Sequence, residues 1–287
     1  MINLNSLYKQ MTEILSTNEN CEPKFEANLL LEFVLGKTRL ELGPMYEVAE
    51  SDEQKLTQLC HKRAEGYPLQ YILGKWQFFD LELEVGEGVL IPRRDTEDVC
   101  LAAFEYINTM ESPTVLDLCA GSGAIALAVK RYCPQANVMA LEKYPEAFEY
   151  LKRNIEKTGL RVLPVMGDVF RYDWKMEEET FDVIISNPPY IHPDQQGKLQ
   201  KEVEYEPATA LFASDSGLRF YKFIAHYYKK ALKEGGYLVF EYGYDQAKAV
   251  RNLLLAEEYK VVKEIVDTAG NPRGVVAQKV QSTSRSF

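Results

Sequence analysis

Four consecutive residues, Asn187-Pro188-Pro189-Tyr190, combine groups suited to holding a nitrogen that carries two hydrogens. The prolines fix φ and lack an N–H, so the local backbone presents carbonyl acceptors without donors. Pro188 also pushes Asn187 out of helical geometry into an extended conformation. A rigid loop then offers the Asn187 side-chain oxygen and the Pro188 carbonyl, a match for the two N–H donors of a primary amide or an aniline-like amine. Tyr190 adds a flat face on which a planar amide or base can stack. This grip suits group transfer to nitrogen. The lone pair of an amide is delocalised into its carbonyl, and accepting both hydrogens pushes density back onto nitrogen. A sulfonium methyl is already activated by its charge, so in-line displacement needs alignment more than a strong base. Taken alone, Asn-Pro-Pro is also an ordinary turn composition.

The surrounding pattern favours chemistry over a plain turn. Phe181–Ser186 reads as a buried strand, so the tetrad stands at a strand's carboxyl end, where open α/β sheets bind ligands. Earlier strand ends carry matching features. Asp117-Leu118-Cys119-Ala120-Gly121-Ser122-Gly123 leads from one strand straight into a helix, and Gly121 and Gly123 clear side chains where a ligand approaches the backbone. The spacing is not G-x-G-x-x-G, so a dinucleotide pyrophosphate is not the expected tenant. Glu142 closes the next strand, where its carboxylate can accept from both ribose hydroxyls. Asp168 ends the third, placed to meet an adenine amine, with the Val169 N–H within reach of a ring nitrogen. The expected cofactor is S-adenosylmethionine, held by Asp117, Cys119, Ala120, Gly121, Ser122, Gly123, Glu142, Asp168, Val169 and Asn187. Asn187 and Pro188 are the candidate catalytic pair, and Pro189 and Tyr190 complete the substrate site.

These loops need a sheet to align them. From about Asp95 onward helices and strands alternate, with strands expected at Thr114–Leu118, Asn137–Leu141, Arg161–Met166, Phe181–Ser186, Tyr237–Glu241, Lys260–Val266 and Val275–Lys279. Helices are expected over Asp95–Met110, Ala124–Arg131, Pro145–Thr158, Leu218–Leu232 and Tyr244–Ala256. Alternation of this kind predicts a Rossmann-like, mostly parallel sheet covered on both faces. The link Gly270–Gly274 is too short for a parallel crossover, so the last strand should be antiparallel. Residues 1–75 instead show helical spacing, as in Leu7, Met11, Ile14 and Leu15, and predict a small all-helical domain whose third helix runs from Asp52 to Glu65. Between the two, Phe79, Leu81, Leu83 and Val85 alternate with acids. Gly86-Glu87-Gly88 then turns the chain into Val89-Leu90-Ile91, a hairpin linker over residues 76–92 ahead of a catalytic domain at 93–287. The polar tail Gln281–Phe287 reads as disordered.

Composition narrows the function further. The chain has 287 residues and a net charge of −10. Proteins that grip a nucleic-acid backbone usually present a basic face, so no stable nucleic-acid binding is expected and a protein substrate fits better. No apolar run is long enough for a membrane span, and five cysteines without a C-x-x-C pair suit reduced thiols in the cytoplasm. Three scattered histidines argue against a metal centre.

Beyond the tetrad, Gly66-Tyr67-Pro68-Leu69-Gln70-Tyr71-Ile72-Leu73-Gly74, Leu90-Ile91-Pro92-Arg93-Arg94-Asp95-Thr96-Glu97 and Tyr205-Glu206-Pro207 followed by Leu211 are distinctive. With Asp117–Gly123 and Asn187–Tyr190, they make the chain resemble the peptide chain release factor glutamine methyltransferases over about residues 60 to 280. The resemblance implies a class I S-adenosylmethionine-dependent methyltransferase sheet and no metal. It implies methylation of the side-chain amide of the glutamine in the Gly-Gly-Gln motif of bacterial release factors. Residues 1–75 would dock another part of that factor. Asn187–Tyr190 also occurs in adenine methyltransferases, so an amino-methyltransferase on nucleic acid, a glutamine methyltransferase acting on a ribosomal protein, and a non-catalytic cofactor-binding adaptor stay open. Cys119 stands where the family commonly has glycine, Arg94 where it has proline, and Glu142 where it has aspartate. Arg93 and Glu206-Pro207 are candidate supports or lining of the site, whereas Phe78-Phe79 reads equally well as core packing.

Overall fold

The structure is a computed structural model and describes residues 1–172 and 177–280; the tail expected to be disordered lies outside them. The chain forms two compact units, Met1–Lys75 with Leu199–Tyr205, and Trp76–Lys198 with Glu206–Phe287.

In the first unit, β1 (Ile2–Asn3) pairs with β2 (Glu47–Val48) beside α1 (Leu4–Leu15), α2 (Pro23–Leu35), α3 (Arg39–Leu42), α4 (Glu50–Ala64) and α5 (Leu69–Leu73). Leu4, Leu7, Met11 and Leu15 stripe one face of α1 and bury against Ala27, Leu30 and Leu31 of α2 and Leu56 and Cys60 of α4. That burial, at about 1.5–3 kcal/mol per large aliphatic side chain, holds a unit with almost no sheet. The α1 N-terminus is capped by Asn3, whose side chain accepts from the Asn5 N–H at 3.0 Å. Acids in the first turn of α4 and His61, Lys62 and Arg63 in its last turn complement the helix dipole. Arg63 is buried and well paired. It donates to Glu26 at 2.7 Å, to the Asn20 carbonyl at 3.2 Å and to Glu202 of α10 (Lys201–Glu204) at 2.8 Å. A buried guanidinium is tolerable only with such pairing, and here it ties residues 199–205 into the helical unit.

From Trp76 the second unit opens with the rest of β3 (Lys75–Phe78) and β4 (Leu81–Glu84), which form a two-stranded sheet. The expected hairpin is therefore displaced. It turns at Phe79-Asp80, where Phe79 takes φ 53°, and Val89–Ile91 form no strand. Gly86 and Gly88 serve close packing instead. A Cβ at Gly86 would lie 2.1 Å from the Tyr150 hydroxyl, and one at Gly88 would lie 2.8 Å from Glu146 Cβ. Phe78 and Phe79 pack into the core, which settles their role against channel lining.

There follow α6 (Arg94–Ile107), β5 (Thr114–Leu118), α7 (Ala124–Tyr132), β6 (Asn137–Glu142), α8 (Pro145–Thr158), β7 (Val162–Met166), α9 (Val169–Tyr172) and β8 (Phe181–Ser186). After α11 (Ala208–Leu211) come α12 (Arg219–Tyr227), β9 (Leu232–Glu241), α13 (Ala247–Ala256), β10 (Tyr259–Val266) and β11 (Pro272–Lys279). Seven strands join in the order β10-β11-β9-β8-β5-β6-β7, and β11 alone runs antiparallel, inserted between β9 and β10. One cluster of buried side chains covers each face of the sheet, which explains the unbroken apolar run Val183-Ile184-Ile185 in central β8. The helix expected over Leu218–Leu232 ends at Tyr227, and Leu232 already belongs to β9. Tyr228, whose hydroxyl donates to the Val169 carbonyl at 3.0 Å, leads a single tight turn between them.

Candidate functional site

The chain leaves β5 for β6 and β7 on one side and returns to β8 on the other. The carboxyl ends of β5 and β8 therefore flank a topological switch point, where the loops diverge and leave a crevice. A cavity of about 690 Å³ opens there, within the size range of small-molecule sites. Cys119, Ala120, Gly121, Ser122, Glu142, Asp168, Val169, Asn187 and Pro189 all line it. Asp117, Gly123, Pro188 and Tyr190 are not among the lining residues.

The two glycines differ in their work. Gly121 takes φ 55°, and a Cβ there would meet only Val89 Cγ2, at 3.9 Å, so a side chain would project into the cavity. Gly123 takes φ 85°, but a Cβ there would lie 2.5 Å from Leu151 Cδ1, so its glycine lets α7 and α8 pack closely. Cys119 adopts φ 62°, a left-handed conformation that glycine takes without strain. Asp117 is buried beneath the loop. Its Oδ2 accepts from the Ala126 N–H at 3.0 Å, pinning the first turn of α7, while Oδ1 has no partner and burial pushes the carboxyl well up.

Glu142 is 6% exposed and gathers three backbone donors: Gly121 N–H on Oε2 at 2.8 Å, and Lys143 and Tyr144 N–H on Oε1 at 2.7 and 2.8 Å. Burial raises its carboxyl and these bonds oppose the rise. A carboxylate has about four acceptor sites, so one on Oε2 is left for a ligand hydroxyl where the sequence suggests two. Asp168 accepts from the Phe170 N–H at 3.0 Å and pairs with Lys143 at 3.1 Å. A glycine cradle, a desolvated carboxylate and a second acid with an adjacent backbone N–H together fit a nucleoside with a short polar tail.

At the β8 end, Asn187 is half-buried and its Nδ2 donates to Thr96 Oγ1 at 3.4 Å. Tyr190 packs against the core on one face of the sheet, its N–H donating to the Leu211 carbonyl at 3.2 Å and its carbonyl accepting from Gln246 at 3.0 Å. Its ring supports the loop from behind. Across the cavity Arg93 lines the wall and pairs with Glu206, whose other oxygen accepts from the Ile91 N–H at 2.9 Å. Glu206 thus clamps the entry to α6, and Pro207 lines the cavity in its place. Arg94 points outward, 3.2 Å from Glu97. Sequence reading passes over the lining residues Thr96, Thr209, Phe212 and Arg219. Only Thr96 carried a signal, as part of the Leu90–Glu97 stretch.

Two family models match the chain, the PrmC N-terminal domain over residues 6–74 and the Methyltransferase small domain over residues 100–214. The release factor glutamine methyltransferase of Fusobacterium nucleatum is 34% identical over 95% of this chain and 78% of its own length. That of Clostridium acetobutylicum is 35% identical over 95% of this chain and 96% of its own length. A crystal structure of a methyltransferase from Pyrococcus furiosus, 22% identical, covers 71% of this chain and 91% of its own with a TM-score of 0.52, a likeness of fold.

Proposed function

The chain belongs to the release factor glutamine methyltransferases, and on that premise we propose how its residues hold the reactants. The enzyme is an S-adenosylmethionine-dependent protein-glutamine N-methyltransferase of the class I fold. When bound, the cofactor supplies a methyl group activated by its sulfonium charge. Gly121 would pass its methionine portion close to the backbone, Glu142 would accept from the ribose, and Asp168 with the Val169 N–H would meet the adenine edge. Cys119, Ala120 and Ser122 complete that wall, while Asp117 and Gly123 shape the loop from beneath.

The substrate is the glutamine of the release factor's Gly-Gly-Gln tip. Asn187 Oδ1 and the Pro188 carbonyl would each accept one hydrogen of its amide, which holds the nitrogen still and returns electron density to it. The nitrogen becomes acidic once methylated and sheds its proton readily, so no side chain has to remove one beforehand. Pro189 walls the pocket, and Tyr190 stiffens the loop. Residues 1–75 would engage another part of the factor, so that two contacts on one body reinforce each other. Among the described residues no helix is long and apolar enough to cross a membrane, and we place the enzyme in the cytoplasm with its substrate.

The observation that carries this reading is the meeting of Asn187 with the Gly121–Glu142 pair around one cavity. The test is transfer of labelled methyl to intact release factor beside adenine-containing DNA, with the modified residue located by mass spectrometry. Label on the glutamine of the Gly-Gly-Gln motif is expected. Label on adenine alone would overturn the substrate assignment.

A further inference from the structure

Glu241 closes β9, the strand beside β8, and the register Ser186↔Phe240 brings it next to Asn187. It is 2% exposed, and its Oε2 has no hydrogen-bond partner. Burying a carboxylate with so little compensation is costly, and such groups concentrate where function requires them. Thr96 lies beside Glu241, and a proton donated from its hydroxyl would hold the carboxyl down against burial. Thr96 sits in the first turn of α6, 4% exposed, lines the cavity, and accepts from Asn187 Nδ2 at 3.4 Å.

The chemistry of these three groups gives the chain a direction. An ionised carboxylate only accepts, so the single Thr96 hydroxyl proton goes to Glu241. Oγ1 then has lone pairs alone to offer, and Asn187 must turn its NH2 toward it. That leaves Oδ1 free to face the cavity. A carboxamide is nearly symmetric in shape, so nothing steric forbids the flipped arrangement, which would set one NH2 against another at the substrate nitrogen. We propose that Thr96 and Glu241 are positioning residues that lock the Asn187 amide with its oxygen toward the substrate amide. The proposal rests on the role given to Asn187 above.

The relay also titrates. Burial pushes the Glu241 carboxyl up to about 7, opposed by the Thr96 hydroxyl; Asp95 adds to the rise, while Arg273 and Arg93 oppose it. The charge of Glu241 in turn raises Cys100 of α6, Tyr190 and Tyr221, after burial. A protonated Glu241 can donate to Thr96, whose own proton is then free for Asn187 Oδ1, and the amide is no longer held in one sense. Turnover should therefore rise as pH increases through the neutral range.

The test measures kcat and KM on intact release factor between about pH 6 and about pH 8.5 for wild type and variants. Thr96→Val should lower kcat about tenfold, the effect of one lost hydrogen bond, with little change in cofactor affinity. Thr96→Ser restores the hydroxyl and should recover to within about threefold of wild type. Glu241→Gln still accepts from Thr96 but does not titrate, so its pH profile should be flat where wild type rises. Asn187→Ala serves as the reference. If it is impaired while Thr96→Val turns over like wild type, or if Glu241→Gln keeps the wild-type pH profile, the relay is wrong. If Asn187→Ala is fully active, the assignment beneath the relay fails as well. Should Thr96→Val not fold, the Glu241→Gln profile still decides.

Discussion

Substitutions at Gly121 and Gly123 should separate cofactor binding from stability, although the two residues are one position apart. Both have positive φ, so any L side chain costs about 1–2 kcal/mol of backbone strain at either site. The surroundings then diverge. A Cβ at Gly121 meets nothing nearer than Val89 Cγ2 at 3.9 Å, so Gly121→Val adds little further strain and projects its methyls into the cavity. At Gly123 the same atom would lie 2.5 Å from Leu151 Cδ1 in a packed core, an overpacking that costs about 1–3 kcal/mol more. Gly123→Ala should thus lose about 2–5 kcal/mol, or roughly 5–15 °C in Tm for a unit of this size, and bind S-adenosylhomocysteine nearly as wild type does while folded. Gly121→Val should lose about 1–2 kcal/mol of stability and more than tenfold in affinity. Calorimetric titration paired with thermal unfolding reads both quantities. Wild-type affinity in a folded Gly121→Val protein, or the reverse pattern between the two sites, would refute the division of labour.

Glu142→Ala should weaken S-adenosylhomocysteine binding by about 1–3 kcal/mol, read by the same titration, because it removes the carboxylate offered to the ribose and strands the Gly121, Lys143 and Tyr144 N–H groups. Glu241 should make stability fall with rising pH. Its carboxyl lies at about 7 in the fold against an ordinary 4.5, so the folded state keeps a proton that the unfolded chain releases within that window. The loss should reach about 3 kcal/mol above neutrality, and denaturant unfolding of Glu241→Gln should lack it.

The parts of the fold legible in sequence are those in which one residue type answers to one local cause. Thr114–Leu118, Pro145–Thr158 and Phe181–Ser186 match their expected bounds because apolar periodicity and punctuating Pro and Gly act within a few residues. Gly86 and Gly88 mislead because glycine serves both turns and close packing, and the helix that requires the packing, α8, lies some sixty residues on. The place of residues 199–205 in the helical unit rests on Glu202 meeting Arg63 across 139 residues, which no local pattern announces. The site divides in the same way. Gly121, Glu142, Asp168 and Asn187 were legible as strand-end residues, whereas the carboxylate of Glu241 acquires meaning only when β9 is laid beside β8.

Asn187 is the residue on which the account of catalysis turns. Replacing it by alanine shortens one side chain of the cavity wall and removes one of two acceptors offered to the reacting nitrogen. Single-turnover methylation of intact release factor by Asn187→Ala, with cofactor affinity measured on the same protein, is the most direct measurement. The expected result is a rate lower by roughly 10²–10³, as for deletion of one preorganised hydrogen-bonding group at a reacting centre, with cofactor affinity little changed. A rate within about threefold of wild type would reduce Asn187 to a turn residue and contradict the mechanism.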